Sequence, residues 1–138
     1  MNLPDSPYFQ SPAATISHVS ALPTSGYIRL DWQPVASTPA ELRAIYEQAF
    51  QAMRQHNTPS LMTVHNNRPP LPAEIQGWLG EVWVPRAIRE LGFGRCAVVE
   101  VNPPQSRQVV HTVTAALEEP LEYQFFSTPE AADAWLRS

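Results

Sequence analysis

Two stretches of this chain, "PSLMTVH" at 59–65 and "RCAVVEV" at 95–101, are almost continuously apolar over the length of one strand. A strand that is apolar on both sides has no face to offer water, so it belongs inside a sheet covered above and below. Parallel sheets meet that demand, because the helices that join their strands lie across them. The rest of the chain is read under this constraint, which makes the fold class α/β.

Helical segments fall where the constraint needs them. "STPAELRAIYEQAFQAMRQH" begins with Thr38 as N-cap, Pro39 at the first helical position and Glu41 three residues after the cap, the residues of a capping box. Leu42, Ile45, Tyr46, Ala49, Phe50 and Met53 then fall on one stripe. Residues 72–91 repeat the helical period, with Ile75, Trp78, Leu79 and Val82 on one face. Pro85 interrupts the pattern and predicts a kink or two helices, with Val84, Ala87, Ile88 and Leu91 as a second stripe. Val109, Val110, Val113 and Leu117 give 105–119 a helical spacing, and "STPEAADAWLRS" repeats the cap-proline-acid start at the end of the chain.

Ahead of these helices, "ATISHVS" (14–20) and "GYIRLDWQ" (26–33) alternate apolar and polar residues and predict an antiparallel hairpin. "LEYQFF" (121–126) alternates in the same way. The expected order is ββαβαβαβα, a mixed four- to five-stranded sheet covered by helices. Most of the 15 prolines stand between or at the start of these segments. Residues 1–13 are expected to be a flexible proline-rich arm and 14–138 a single domain.

The charge balance narrows the partners. All nine basic residues are arginine, and with thirteen acids the net charge is −4. A nucleic-acid binder needs a basic footprint, and an anionic membrane surface calls for a polybasic patch; neither is present. The single Cys96 excludes an internal disulfide and multi-cysteine zinc patterns. No apolar run is long enough for a transmembrane helix, and the first twenty residues lack a basic start and hydrophobic signal core. A cytoplasmic location is expected.

"HNNR" (His65, Asn66, Asn67, Arg68) follows the first apolar run at the place where ligands collect in open α/β sheets. An imidazole, two amides and a guanidinium there could hold an anion. The same residue types also serve as the polar cap of a strand end, and Pro69-Pro70 removes the backbone donors of a phosphate cradle. Cys96 with His65 or His111 is the available thiol–imidazole pairing, but Cys96 sits within an apolar strand, where a buried thiol is inert. His18, His56, His65 and His111 lack metal-ligand spacing. No catalytic residue, metal site or cofactor is therefore assigned, and the chain is read as non-enzymatic. Trp78 and Trp83 lie five residues apart, about 500° around an α-helix, so they point in different directions. Trp83 joins the four "HNNR" residues as a candidate ligand contact.

Taken together, the strand running into "NNR", the segment Trp78, Trp83 and Pro85 (W-x4-W-x-P), the following Gly92, Arg95 and Ala97, and the terminal A-x-x-W-L resemble small bacterial proteins of the SpoIIAA-like fold. STAS domains and the lipid-binding CRAL-TRIO domains share that architecture. The resemblance spans about Tyr27 to Leu136 and implies a mixed sheet with helices packed against it. STAS antagonists carry a phosphorylated Ser or Thr at the start of the helix after the central strand. Here "HNNRPPLPAEIQGW" has no hydroxyl after Thr63, so the resemblance does not extend to that switch. Two functions follow as expectations. The first is a regulatory domain acting through a protein partner or homodimer; the alternative is a carrier of a small apolar or anionic molecule, or a lipid, near the carboxyl ends of the strands.

Overall fold

The computed structural model describes residues 7–21, 24–65, 69, 71–100, 105–115, 117–118 and 120–138. It is an α/β protein with one mixed six-stranded sheet, and the strands lie in sequence order across it. They are β1 (Pro7–Gln10), β2 (Ala14–Ala21), β3 (Thr24–Trp32), β4 (Ser60–His65), β5 (Arg95–Glu100) and β6 (Glu122–Phe126). β1, β2 and β3 pair antiparallel, whereas β3 to β6 are parallel.

Six strands replace the four or five expected, and the extra one comes from the supposed arm. Phe9 pairs with Ile16 and Gln10 with Thr15, while Tyr8 and Phe9 pack against the main core. Pro7 opens this edge strand, a position where a missing N–H breaks no ladder bond. In β3, Gly26 has φ +78, and a Cβ there would meet the Val19 carbonyl oxygen at 2.0 Å. Only glycine fits that contact.

Four helical runs cover the sheet. α1 (Pro39–His56) starts on the expected capping box: Glu41 N–H donates to Thr38 Oγ1 at 3.2 Å and Thr38 N–H to Glu41 Oε1 at 2.9 Å. These bonds hold the Glu41 carboxyl below its ordinary range, the backbone bond contributing most. Asn57 ends α1 in the left-handed conformation, φ 51.

The second run differs from its expected form. α2 (Ala73–Trp78) passes without a break into a π-helical turn (Leu79–Trp83) and then α3 (Val84–Leu91). Val84 N–H donates to the Leu79 carbonyl, five residues back, and Pro85 follows, needing no acceptor. The widened turn thus takes the place of the predicted kink. It also changes which residues face inward: Trp83 is 2% exposed, while Val82, expected on the buried face, is 48% exposed. Trp78 and Trp83 therefore do not diverge. Both rings meet Tyr46, at 6.2 and 5.5 Å. α4 (Gln105–Ala115) and α5 (Pro129–Arg137) complete the set, and Thr128 caps α5 by accepting from Ala131 N–H at 3.2 Å.

Successive crossovers of one hand, all moving the same way across a sheet, leave their helices on one side. The contacts follow that rule: α1, the α2–α3 run and α4 pack against one another over one face, and α5 turns back across the other to touch β3, β4, β5 and β6. Strand alternation feeds both layers. In β4, Leu61 belongs to the large core under α1 to α4, whereas Met62 and Val64 join Ala97, Val99, Ala132 and Leu136 under α5.

α5 is tied down by a polar chain at the rim of that smaller core. Tyr27 Oη donates to Asp133 Oδ1 at 2.6 Å, and Arg137 Nε donates to Asp133 Oδ2 at 2.6 Å. Burial and the bond to Asp133 push the Tyr27 phenol far above its ordinary value, which keeps it a donor. Burial opposes ionisation of Asp133, but the bonds from Arg137 and Tyr27 outweigh it and hold the carboxyl below its ordinary value.

Candidate functional site: an apolar cavity beneath α4

β4, β5 and β6 carry one row of side chains toward the helix-covered face. Register aligns Leu61 with Cys96 and Cys96 with Tyr123; Thr63 with Val98; and His65 with Glu100. Above this floor sits α4, which offers Val109, Val110, Val113 and Thr114. β-branched side chains are short, and so are the Cys96 and Val98 side chains beneath them. The two layers leave a half-open space of about 90 Å³ between them.

Bulkier groups close the sides. Leu79, Trp83 and Val84 come from the π turn and the start of α3, Tyr46 from α1, and Leu71, Phe93 and Leu121 from the connections. Trp83 is fixed in this wall by its indole N–H, which donates to the Tyr46 carbonyl at 2.8 Å. It also meets Phe93 edge-on at 6.0 Å. The inward turn of Trp83 is thus part of what shapes the cavity.

Polar groups are few. Thr114 Oγ1 donates to the Val110 carbonyl at 2.7 Å, within its own helix. Thr63, 8% exposed, stands 3.1 Å from His65 Nε2 through its Oγ1. The hydroxyl donates when Nε2 is bare and accepts when Nε2 carries the proton; either way it keeps further hydrogen-bonding capacity. Cys96 is part-buried and borders the cavity, and burial pushes its thiol up to about 12. At neutral pH it is a protonated wall group rather than a nucleophile.

Of the five candidate contacts read from the sequence, the structure brings two together: His65 and Trp83 both line this cavity. Asn66, Asn67 and Arg68 lie outside the described residues. His111 is exposed on α4, with its ring 6.3 Å from Phe125. His18 and His56 stack with centroids 3.9 Å apart. No group of three or more metal-ligating side chains occurs among the described residues. No helix among them is long and apolar enough to cross a membrane.

Sequence reading missed Thr63, Tyr46, Tyr123 and the cavity-facing role of the α4 valines. Thr63 was detectable, since period-two alternation puts Leu61, Thr63 and His65 on one side. The valines carried the signal of a core stripe, and nothing in their spacing says that the stripe falls short of its floor. Comparison with protein-family models, curated proteins and solved structures found no match to this chain.

Proposed function

We propose that this chain is a small-molecule binding domain that holds an apolar ligand between the parallel half of its sheet and α4. The observation that carries the proposal is the half-open cavity of about 90 Å³, walled by valine, leucine and aromatic side chains with a few polar groups. Ligand sites are built in this way, with apolar walls and a few placed polar groups. The likeness to SpoIIAA-like proteins supports the same reading, because that group includes lipid-binding CRAL-TRIO domains. A thiol raised to about 12 favours binding over catalysis at this place. The regulatory alternative has less support: among the described residues the exposed large hydrophobics are Val35 and Val82, one in the β3–α1 connection and one in the π turn.

The test is an environment-sensitive apolar dye such as Nile red, titrated into wild type and a Val110→Trp variant. One dye should bind per wild-type chain with a blue-shifted emission, and the variant, whose indole fills the cavity, should bind at least tenfold more weakly. Equal binding by the two proteins would place the dye elsewhere and remove the proposal.

A further inference from the structure

The two edges of the sheet are not finished alike. β1 is short, opens on Pro7 and slips register between Pro7 and Phe9, all of which blunt an edge against further pairing. β6 has none of the last two devices: Glu122–Phe126 contains no proline and no lysine, and its register with β5 is unbroken. Among the described residues it pairs with β5 and with nothing on its other side.

The pleat decides which groups that open side presents. Glu122 N–H donates to the Gly94 carbonyl at 3.0 Å, so the backbone groups of Glu122 point toward β5. Alternate residues of a parallel strand turn the same way, so Gln124 and Phe126 follow Glu122. The N–H and C=O groups of Tyr123 and Phe125 therefore point outward, and no described residue hydrogen-bonds to them. Unpaired groups in this arrangement are a template for another strand. Adding one needs no large exposed apolar side chain, because the main chain supplies the bonds.

We infer that β6 is a self-association edge, which pairs antiparallel with β6 of a second copy of this chain about a twofold axis at Gln124. Self-complementarity selects this occupant. With the axis at Gln124, Tyr123 stands opposite Phe125 of the partner subunit, and Phe125 opposite Tyr123 of the partner subunit. The outward groups of each copy are then all met by those of the other. An axis at Tyr123 or Phe125 instead leaves the second outward residue facing a position beyond the strand. Like charges do not face each other either: Glu122, already paired with Arg95 at 3.4 Å, stands opposite Phe126 of the partner subunit. Tyr123 also lines the space beneath α4, so the second copy extends the sheet beside that floor.

Sedimentation velocity of the full chain over a concentration series tests it, and the wild type should sediment as a dimer. Gln124 is exposed, so Gln124→Glu and Gln124→Lys leave the packed layers alone while each sets two like charges face to face across the axis. Each variant should raise the dimer dissociation constant at least tenfold. Mixing the two should restore the dimer, now with opposite charges across the axis, and thermal melts check that both variants keep the fold. A wild type that stays monomeric at every concentration overturns the proposal. So does a dimer that both variants leave unchanged, since it must form through another surface. Variants that dissociate singly and fail to reassociate when mixed would overturn the pairing about Gln124. Dye binding beneath α4 is a separate readout and stands or falls without regard to these results.

Discussion

The same face of the same sheet is filled under α1 and hollow under α4. Beneath α1, Phe50, Met53, Ile45 and Leu42 meet Ile16, Ile28, Leu30 and Trp32, and all are at most 5% exposed. Beneath α4, valines face Cys96, Val98 and Thr63 across an open space. Both helices cover β-strands with an apolar stripe, and both count as core by pattern. They differ in the reach of their side chains, and reach decides whether two layers close on each other. An apolar stripe therefore says where a helix docks; the volumes it carries say whether the dock is a seal or a chamber.

Truncation should expose the difference most strongly. Phe50→Ala is expected to cost about 3–5 kcal/mol in urea unfolding, because it opens a hole in a packed layer. Val110→Ala should cost about 1 kcal/mol or less, since its side chain already borders empty space. Equal costs would mean that the two halves are packed alike.

Enlargement gives the next largest contrast, and here the signs oppose. Ala49→Leu, at a fully buried position under α1, should destabilise by about 1–3 kcal/mol through overpacking. Val110→Phe has room to enter and should stabilise by about 0.5–2 kcal/mol while weakening dye binding. Destabilisation by both would show that the space under α4 is closed in solution.

The smallest effect belongs to the opposite face. Asp133, 31% exposed, holds α5 to Tyr27 and Arg137. Its folded carboxyl lies below its ordinary value of 3.8, so its contribution is complete above that value and is lost as pH falls through the lower folded one. Asp133→Asn should cost about 1 kcal/mol or less at pH 7 and make unfolding less sensitive to acid below pH 4. An unchanged acid profile would mean that the clasp does not hold α5. Neither half of the other face should respond, because this carboxylate touches neither.

What could be read from the chain beforehand was whatever depends on neighbours in sequence. Thr38, Pro39 and Glu41 announce the start of α1 because a cap is a bond across three residues. The strands β4 and β5 declare themselves because burial on both faces needs a continuous apolar run. β1 was hidden, since four residues beginning with proline pair only because Ile16 and Thr15 are there to receive them. The convergence of Trp78 and Trp83 was misread because a count of 100° per residue assumes a turn that this segment does not make. The "HNNR" stretch drew attention for its polar side chains, yet its clearest described contribution, His65, works through Thr63, which looked like an ordinary interior residue. The cavity was least legible of all, being a volume left between α4 and a floor drawn from three separate strands.

The π turn at Leu79–Trp83 also has a consequence for how this chain should be compared with others. Its Val84-to-Leu79 bond spans one residue more than an α-helical turn, so the segment behaves as a helix carrying a single inserted residue. Removing Glu81 or Val82 would restore an unbroken α-helix in which the two tryptophans stand four residues apart, about 400° around the axis. Trp83 would then keep its place on the face that meets Tyr46. A one-residue gap in an alignment at this point would therefore mark the loss of the wide turn, with the residues on either side keeping their faces.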